Sequence, residues 1–341
     1  MNQLRLDPLS GRWVAVSTAR IERQGAVFRP RQPMALEPGA RCPFCPGNEG
    51  ETPPALETYG AEGRWLVRVV PNRYPAFEGL EPFVVEHRGP VFSQAPASGI
   101  HEVLIFSPDH DLSLGSLDDH QCQLVMAAIR DRVEEHQGTP GLRYSLVIVN
   151  SGPEAGASLE HPHGQLLGIP FVPRETVDEQ GSFARFAGGC LLCTATASEE
   201  RAGYRVVETS EHSVTFAPYW SGTPYELLVV PRIHEAHLER TPPADLASCG
   251  LAVRNALAHL RLLLGDIAYN VVFHSAPYRA RSPYHWHVHI LPKLTTRAGF
   301  ELGTGVYINV VAPEHAAEQL REAIRASKGS GAAQASANVA S

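Results

Sequence analysis

Ser158-Leu-Glu-His-Pro-His-Gly-Gln165 and Ser282-Pro-Tyr-His-Trp-His-Val-His289 are one motif written twice, 124 residues apart. Each follows an apolar run of β type, Leu146 to Val149 in the first copy and Val271 to Phe273 in the second. On a strand, residues 161, 163 and 165 face one side and their neighbours the other. The same offset holds upstream, where His101-Glu-Val-Leu-Ile-Phe-Ser-Pro-Asp-His110 is answered by Tyr225-Glu-Leu-Leu-Val-Val-Pro-Arg-Ile-His234. Farther up, Cys42-Pro-Phe-Cys45 pairs with Cys190-Leu-Leu-Cys193 at an offset of 148. The first copy therefore carries 24 extra residues, which we place in the Pro/Gly-rich stretch Ala76 to Gly99 and read as a long loop.

Each copy thus reads as a CxxC, strands, a histidine closing a strand, a helix, another strand and a short histidine-bearing strand. After Ser116 as N-cap, Leu117, Leu124, Val125, Ala128, Ile129 and Val133 recur at helical spacing. Leu246, Leu251, Ala252, Ala256, Leu260 and Leu263 do so in the second copy. Continuous apolar strands such as Val67 to Val70 and Leu227 to Val230 imply a sheet covered by helix. The expected fold is α+β: two lobes, 1–175 and 176–325, each with an antiparallel sheet packed by helices. The stretch 326–341, Ala, Ser and Gly with almost no large apolar residue, is expected to be a disordered tail.

Composition narrows the function. The chain has 341 residues, 43% of them hydrophobic, enough for about two domains. No apolar run approaches the ~18 residues of a membrane span. A formal charge of −7 argues against a nucleic-acid coat or an anionic-membrane binder. The start, MNQLRLDPLSGRW, lacks the layout of a secretory signal, so a cytoplasmic location is expected. Thiols stay reduced there, and six cysteines with sixteen histidines read better as metal ligands than as a disulfide framework.

A CxxC turn presents two thiolates from one short loop, and the repeat supplies the remaining ligands at matching places. His110 and His161 complete Cys42 and Cys45; His234 and His285 complete Cys190 and Cys193. Two filled Cys2His2 sets leave no open position for water, which is the structural arrangement of zinc. Cys122 and Cys249 fall inside the helical patterns and read as core thiols. If His161 is fixed on the metal, its strand is anchored and His163 becomes an oriented imidazole able to attack phosphorus. Gln165 and Ser158 can donate to the equatorial oxygens, while Gly164 and Gly156 permit close backbone approach.

CPFC, SPDH, Asn150-Ser-Gly, HPHGQ and a late Gly299-Phe300-Glu301 followed by PEHAAEQLR together resemble the galactose-1-phosphate uridylyltransferase family, over Leu4 to about Arg325. The resemblance implies a duplicated histidine-triad-like fold and a ping-pong cycle. In that cycle His163 takes the uridylyl group from UDP-glucose, releases glucose 1-phosphate and passes the group to galactose 1-phosphate. It gives Gln165 the role of stabilising the nucleotidyl-histidine, Asn72 a base-side contact, and Asn150 and Ser158 phosphate-side contacts. Arg20 and Arg23 match a basic segment of the family, with Glu22 a departure from it. Phe300 and Glu301 match a sugar-contacting segment, although Thr295 and Thr296 stand where some relatives have Lys and Phe. A homodimer, with Arg20 and Arg23 reaching across, is implied too.

Some relatives hold a second metal through histidines resembling His274, His287 and His289, for which Glu179 would be the carboxylate. The Cys190 set is the preferred alternative here. His289 replaces the glutamine at the position matching Gln165, so the second copy reads as scaffold. Relatives with HPHxQ include sugar-phosphate adenylyltransferases such as ADP-glucose phosphorylase, which leaves an ADP-sugar reaction as an alternative. A zinc-stabilised nucleotide-binding protein without catalysis is the other, disfavoured by the intact HPHGQ.

Overall fold

A computed structural model of the chain describes residues 2–18, 41–61, 63–280 and 283–339. Arg20 and Arg23 lie outside the described residues. The short strands β1 (Gln3–Leu6) and β2 (Trp13–Val16) form an antiparallel pair. The first repeat then supplies β3 (Glu57–Ala61), β4 (Arg64–Pro71), β5 (Glu86–His87), β6 (Ser93–Gln94), β7 (Ile100–Ile105), α1 (Asp119–Gly138), β8 (Tyr144–Ser151) and β9 (His163–Ile169). The second adds α2 (Arg174–Arg185), α3 (Leu191–Ala202), β10 (Val206–Thr209), β11 (Ser213–Phe216), β12 (Leu227–Pro231), α4 (Pro243–Leu264), β13 (Tyr269–His274) and β14 (His287–Pro292). The chain closes with α5 (Gly299–Thr304), β15 (Tyr307–Asn309), which joins β2 in parallel, and α6 (Pro313–Val339).

The two lobes do not keep separate sheets. Ten strands run in the order β10-β11-β12-β14-β13-β8-β9-β7-β4-β3, and the two repeats meet where β8 and β13 pair antiparallel, Asn150 opposite Asn270. One face carries Val67, Val69, Leu104, Val147, Val149, Leu166, Val271, Phe273, Val288 and Ile290 against α1 and α4. Val67 and Val69 come from one of the apolar runs that predicted a covered sheet. On the opposite face, Leu228, Val230 and Phe216 pack with Phe183, Leu191 and Leu192 from α2 and α3. In the first repeat that face is covered by the Cys42–Cys45 turn, where Phe44 meets Val70, Val103 and Ile105.

Three local expectations change. Helix α1 starts later than Ser116: that residue ends a 3-10 turn, and Asp118 caps the helix by accepting the Gln121 N–H at 2.7 Å. A carboxylate at the N-terminus also suits the helix dipole. The stretch Ala76 to Gly99 is not all loop, since it holds the β5–β6 hairpin. Helix α6 continues to Val339 through the stretch expected to be disordered; alanine, frequent there, has the highest helix propensity of any residue. No helix among the described residues is long and apolar enough to cross a membrane.

Candidate active site and metal centres

The first ligand set comes together as the spacing implied. Cys45 Sγ lies 3.4 Å from His110 Nδ1 and 3.6 Å from His161 Nδ1, and the two Nδ1 atoms are 3.3 Å apart. A tetrahedral ion with M–S about 2.3 Å and M–N about 2.0–2.1 Å requires ligand edges of roughly 3.3–3.8 Å. All four ligand atoms, Cys42 included, lie within 4.8 Å of one another. His161 Nε2–H donates to the Ser107 carbonyl at 2.8 Å, which leaves the Nδ1 lone pair aimed into the set. Burial pushes the His161 imidazolium down to about 4, so the ring is neutral near pH 7. Burial and the adjacent Cys42 push the Cys45 thiol up to about 11, so a bound cation would be what displaces its proton to solvent.

The second set repeats this geometry. His285 Nδ1 lies 3.6 Å from Cys190 Sγ and 3.3 Å from Cys193 Sγ, with His234 Nδ1 3.6 Å from Cys193 Sγ. His285 Nε2–H donates to the Pro231 carbonyl at 2.9 Å, as His161 does to Ser107. Here the cysteines open a helix, with Cys190 as the N-cap of α3.

The alternative set is not excluded by the second: both exist. Glu179 from α2 meets His274, His287 and His289, again within 4.8 Å. His274 Nδ1–H donates to Glu179 Oε1 at 2.8 Å, His287 Nδ1–H to the His285 carbonyl at 2.9 Å, and His289 Nδ1–H to Glu226 Oε1 at 3.3 Å. Tyr284 donates its hydroxyl to the other Glu179 oxygen. Burial would raise the Glu179 carboxyl, but His274, with His287 and His289 behind it, holds it well below the ordinary range. The Nε2 atoms of His287 and His289 are buried with no hydrogen-bond partner among the described residues. Converging, unprotonated nitrogens beside an ionised carboxylate fit a transition-metal ion.

His163 opens β9 one residue beyond Pro162. Its Nδ1–H donates to the His161 carbonyl at 2.7 Å, so Nε2 carries the lone pair. Burial lowers its pKa, which keeps that lone pair available. Phe44 stands edge-on to the ring, centroids 5.3 Å apart, and restricts its rotation. Gln165 follows on the same face. Asn150 sits on β8, and its Oδ1 accepts from Asn270 Nδ2 at 2.7 Å, which leaves the NH2 prong of Asn150 without a partner among the described residues. Asn270 also donates to the Ala155 carbonyl at 2.9 Å, which fixes the tight turn leading to Gly156 in left-handed conformation. A cavity of about 260 Å³ adjoins this cluster, lined by His163, Asn150, Gly152 and, from the second repeat, Arg261 and Tyr269.

The other sequence-derived residues are placed less centrally. Ser158 is exposed on the loop before His161. Asn72 Oδ1 accepts the Tyr74 N–H at 2.8 Å. Phe300 and Glu301 lie on α5, Phe300 52% exposed and Glu301 accepting the Ala298 N–H at 3.0 Å. Phe44, His101 and Asn270 were not singled out from sequence. For Phe44 a signal was present, its position inside the CxxC.

Residues 1–173 match the family model described as the N-terminal domain of galactose-1-phosphate uridyl transferase. A second model, a domain of unknown function (DUF4921), matches 107–341. The chain is 32% identical to an ADP-glucose phosphorylase of Arabidopsis thaliana, covering 94% of this chain and 92% of that protein. It is 30% identical to a galactose-1-phosphate uridylyltransferase of Thermotoga maritima, covering 94% and 98%. Among solved structures, the Arabidopsis ADP-glucose phosphorylase with bound ADP-glucose superposes with a TM-score of 0.81 at 30% identity, covering 94% and 99%. A uridylyltransferase structure gives 0.73 at 26% identity, covering 95% and 99%.

Proposed function

From the galactose-1-phosphate uridylyltransferase family, to which the chain belongs, we propose that this nucleotidyltransferase moves UMP from UDP-glucose to galactose 1-phosphate through His163. The observation that carries the reading is the His163 tautomer, locked by the His161 carbonyl with Nε2 outward. Nε2 attacks the α-phosphorus, the bond to the β-phosphate oxygen breaks, and glucose 1-phosphate leaves. Positive charge on the ring is met by the carbonyl at Nδ1–H. In the second half, a phosphate oxygen of galactose 1-phosphate attacks the same phosphorus, the P–N bond breaks and UDP-galactose departs. Gln165 and Asn150 NH2 groups serve the equatorial oxygens in both halves.

Cys42, Cys45, His110 and His161, and likewise Cys190, Cys193, His234 and His285, would hold zinc, and the first set would anchor the strand that bears His163. Filled sets supply stability rather than a reaction step. We place the protein in the cytoplasm, where its thiols stay reduced, as a homodimer. Arg20 and Arg23 are then the residues to reach across to the site of a second copy, and Phe300 and Glu301 belong to the segment that would contact the sugar.

A second reading, phosphorolysis of ADP-glucose through the same histidine, is favoured by the Arabidopsis relative's name and by Thr295 and Thr296 in place of Lys and Phe. One experiment separates them. The protein is incubated with UDP-glucose or ADP-glucose labelled in the α-phosphate, and acid-labile label on protein is counted. We expect label from UDP-glucose that galactose 1-phosphate discharges and that His163→Ala abolishes. Label from ADP-glucose, discharged by inorganic phosphate, selects the second reading. Full turnover by His163→Ala with no label from either sugar overturns both.

A further inference from the structure

Gln165 can serve a phosphoryl oxygen only through its NH2, yet an amide side chain can present either prong. An exposed carbonyl prong would repel the phosphate. What sets the amide is the neighbouring strand. β7 runs antiparallel to β9 with Val103 opposite Gln165, so His101, two residues back along β7, is the diagonal neighbour of Gln165 on the same face. Its Nε2 lies 2.7 Å from Gln165 Oε1.

The direction of that hydrogen bond follows from a backbone group. The Ala76 N–H, which can only donate, points at His101 Nδ1 at 3.1 Å. Nδ1 must therefore hold the lone pair, and in a neutral imidazole the proton is then on Nε2. Nε2–H donates to Gln165 Oε1. The Asn72 amide nitrogen is 3.1 Å from the same Nε2, but both are donors, and Asn72 has its own carbonyl engaged by Tyr74. With the carbonyl prong of Gln165 taken, the NH2 prong is the one left for the reacting centre.

We propose that His101 is a positioning residue for nucleotidyl transfer: it reads the Ala76 backbone on one side and orients the Gln165 amide on the other. The inference rests on the transfer reading above. It also gives a role to the stretch after Asn72, whose N–H at Ala76 sets the tautomer.

The test uses the full chain, the labelled nucleotide sugar that loads the wild-type protein, and rapid quench. His101→Phe keeps the ring and removes both nitrogens. We expect the rate of label transfer to fall by about tenfold to a hundredfold, somewhat less than loss of an oxyanion donor outright. KM should change little, because the interaction is used at the transition state. In a Gln165→Ala background His101→Phe should cost almost nothing further, since the two act as one unit. His101→Gln, whose amide offers a donor and an acceptor as the neutral imidazole does, should recover most of the rate. Losses that multiply in the double variant, or His101→Gln no better than His101→Phe, would overturn the proposal. A wild-type protein that takes no label overturns the transfer reading instead, a separate result.

Discussion

Gly164 sits between His163 and Gln165, and the reason is steric. A Cβ there would lie 2.6 Å from Phe106 Cζ and 3.1 Å from the Ile148 carbonyl oxygen. Phe106 is 1% exposed and packed in the main core, so the ring has nowhere to go. Gly164→Ala must push β9 away from β8, at a cost of about 1–3 kcal/mol, and carry His163 with it. We expect both a lower denaturation midpoint and slower label transfer; a wild-type midpoint would show that the strand absorbs the methyl freely. At this scale the sequence was informative where chemistry repeats. The four candidate ligands of each Cys2His2 set could be matched through the duplication, and alternation placed His163 and Gln165 on one face. It was silent on His101, because residues 64 positions apart become neighbours only through strand order. Glu179 was a candidate by resemblance alone, since nothing in its surroundings of α2 marks it as meeting three histidines.

Among the elements, β13 binds the two repeats. Periodicity and duplication gave helices and strands but not which strand edges meet, since each copy supplies self-consistent pairings and the seam uses the edges left over. In the structure that seam brings Asn270 to Asn150 and to the Ala155 carbonyl, at the position where the first repeat has Leu146. The second repeat has lost the glutamine at His289, yet still contributes to the first repeat's site through this amide. Removing it frees the Asn150 side chain to flip and loosens the turn to Gly156. For Asn270→Ala we expect a stability loss of about 1–3 kcal/mol for two hydrogen bonds, and a drop in transfer rate with metal content unchanged. A variant with wild-type rate would mean that Asn150 is held by other means or does not touch the phosphates.

Across the whole molecule, a buried polar chain crosses the core beneath the site. Tyr278, from the second repeat, donates to Ser145 Oγ, and Ser145 donates to His136 Nδ1 at 3.1 Å. His136 Nε2 lies 3.1 Å from the Glu102 carboxylate, which Arg132 also grips through two nitrogens. Glu102 follows His101 on β7 and points to the opposite face, so the strand that orients Gln165 is pinned from below by an ion pair to α1. Burial works to raise the Glu102 carboxyl, but the adjacent His136 and the hydrogen bonds from Arg132 prevail and hold it below the ordinary range. A carboxyl lowered by folding contributes stability that is fully present above its unfolded value, about 4.3. That contribution is lost as pH falls through the lower folded value. Unfolding free energy should therefore decline below about pH 4 in the wild-type protein. Glu102→Gln should remove part of that decline and cost about 3–5 kcal/mol near pH 7, the usual result of breaking a buried pair from one side. The lower end is expected, because Glu135 remains in contact with Arg132. Chemical denaturation of both proteins from pH 3 to 7 checks this: a constant difference across the range would mean that Glu102 is not held in its charged form by folding, and that the pinning of β7 is a matter of packing alone.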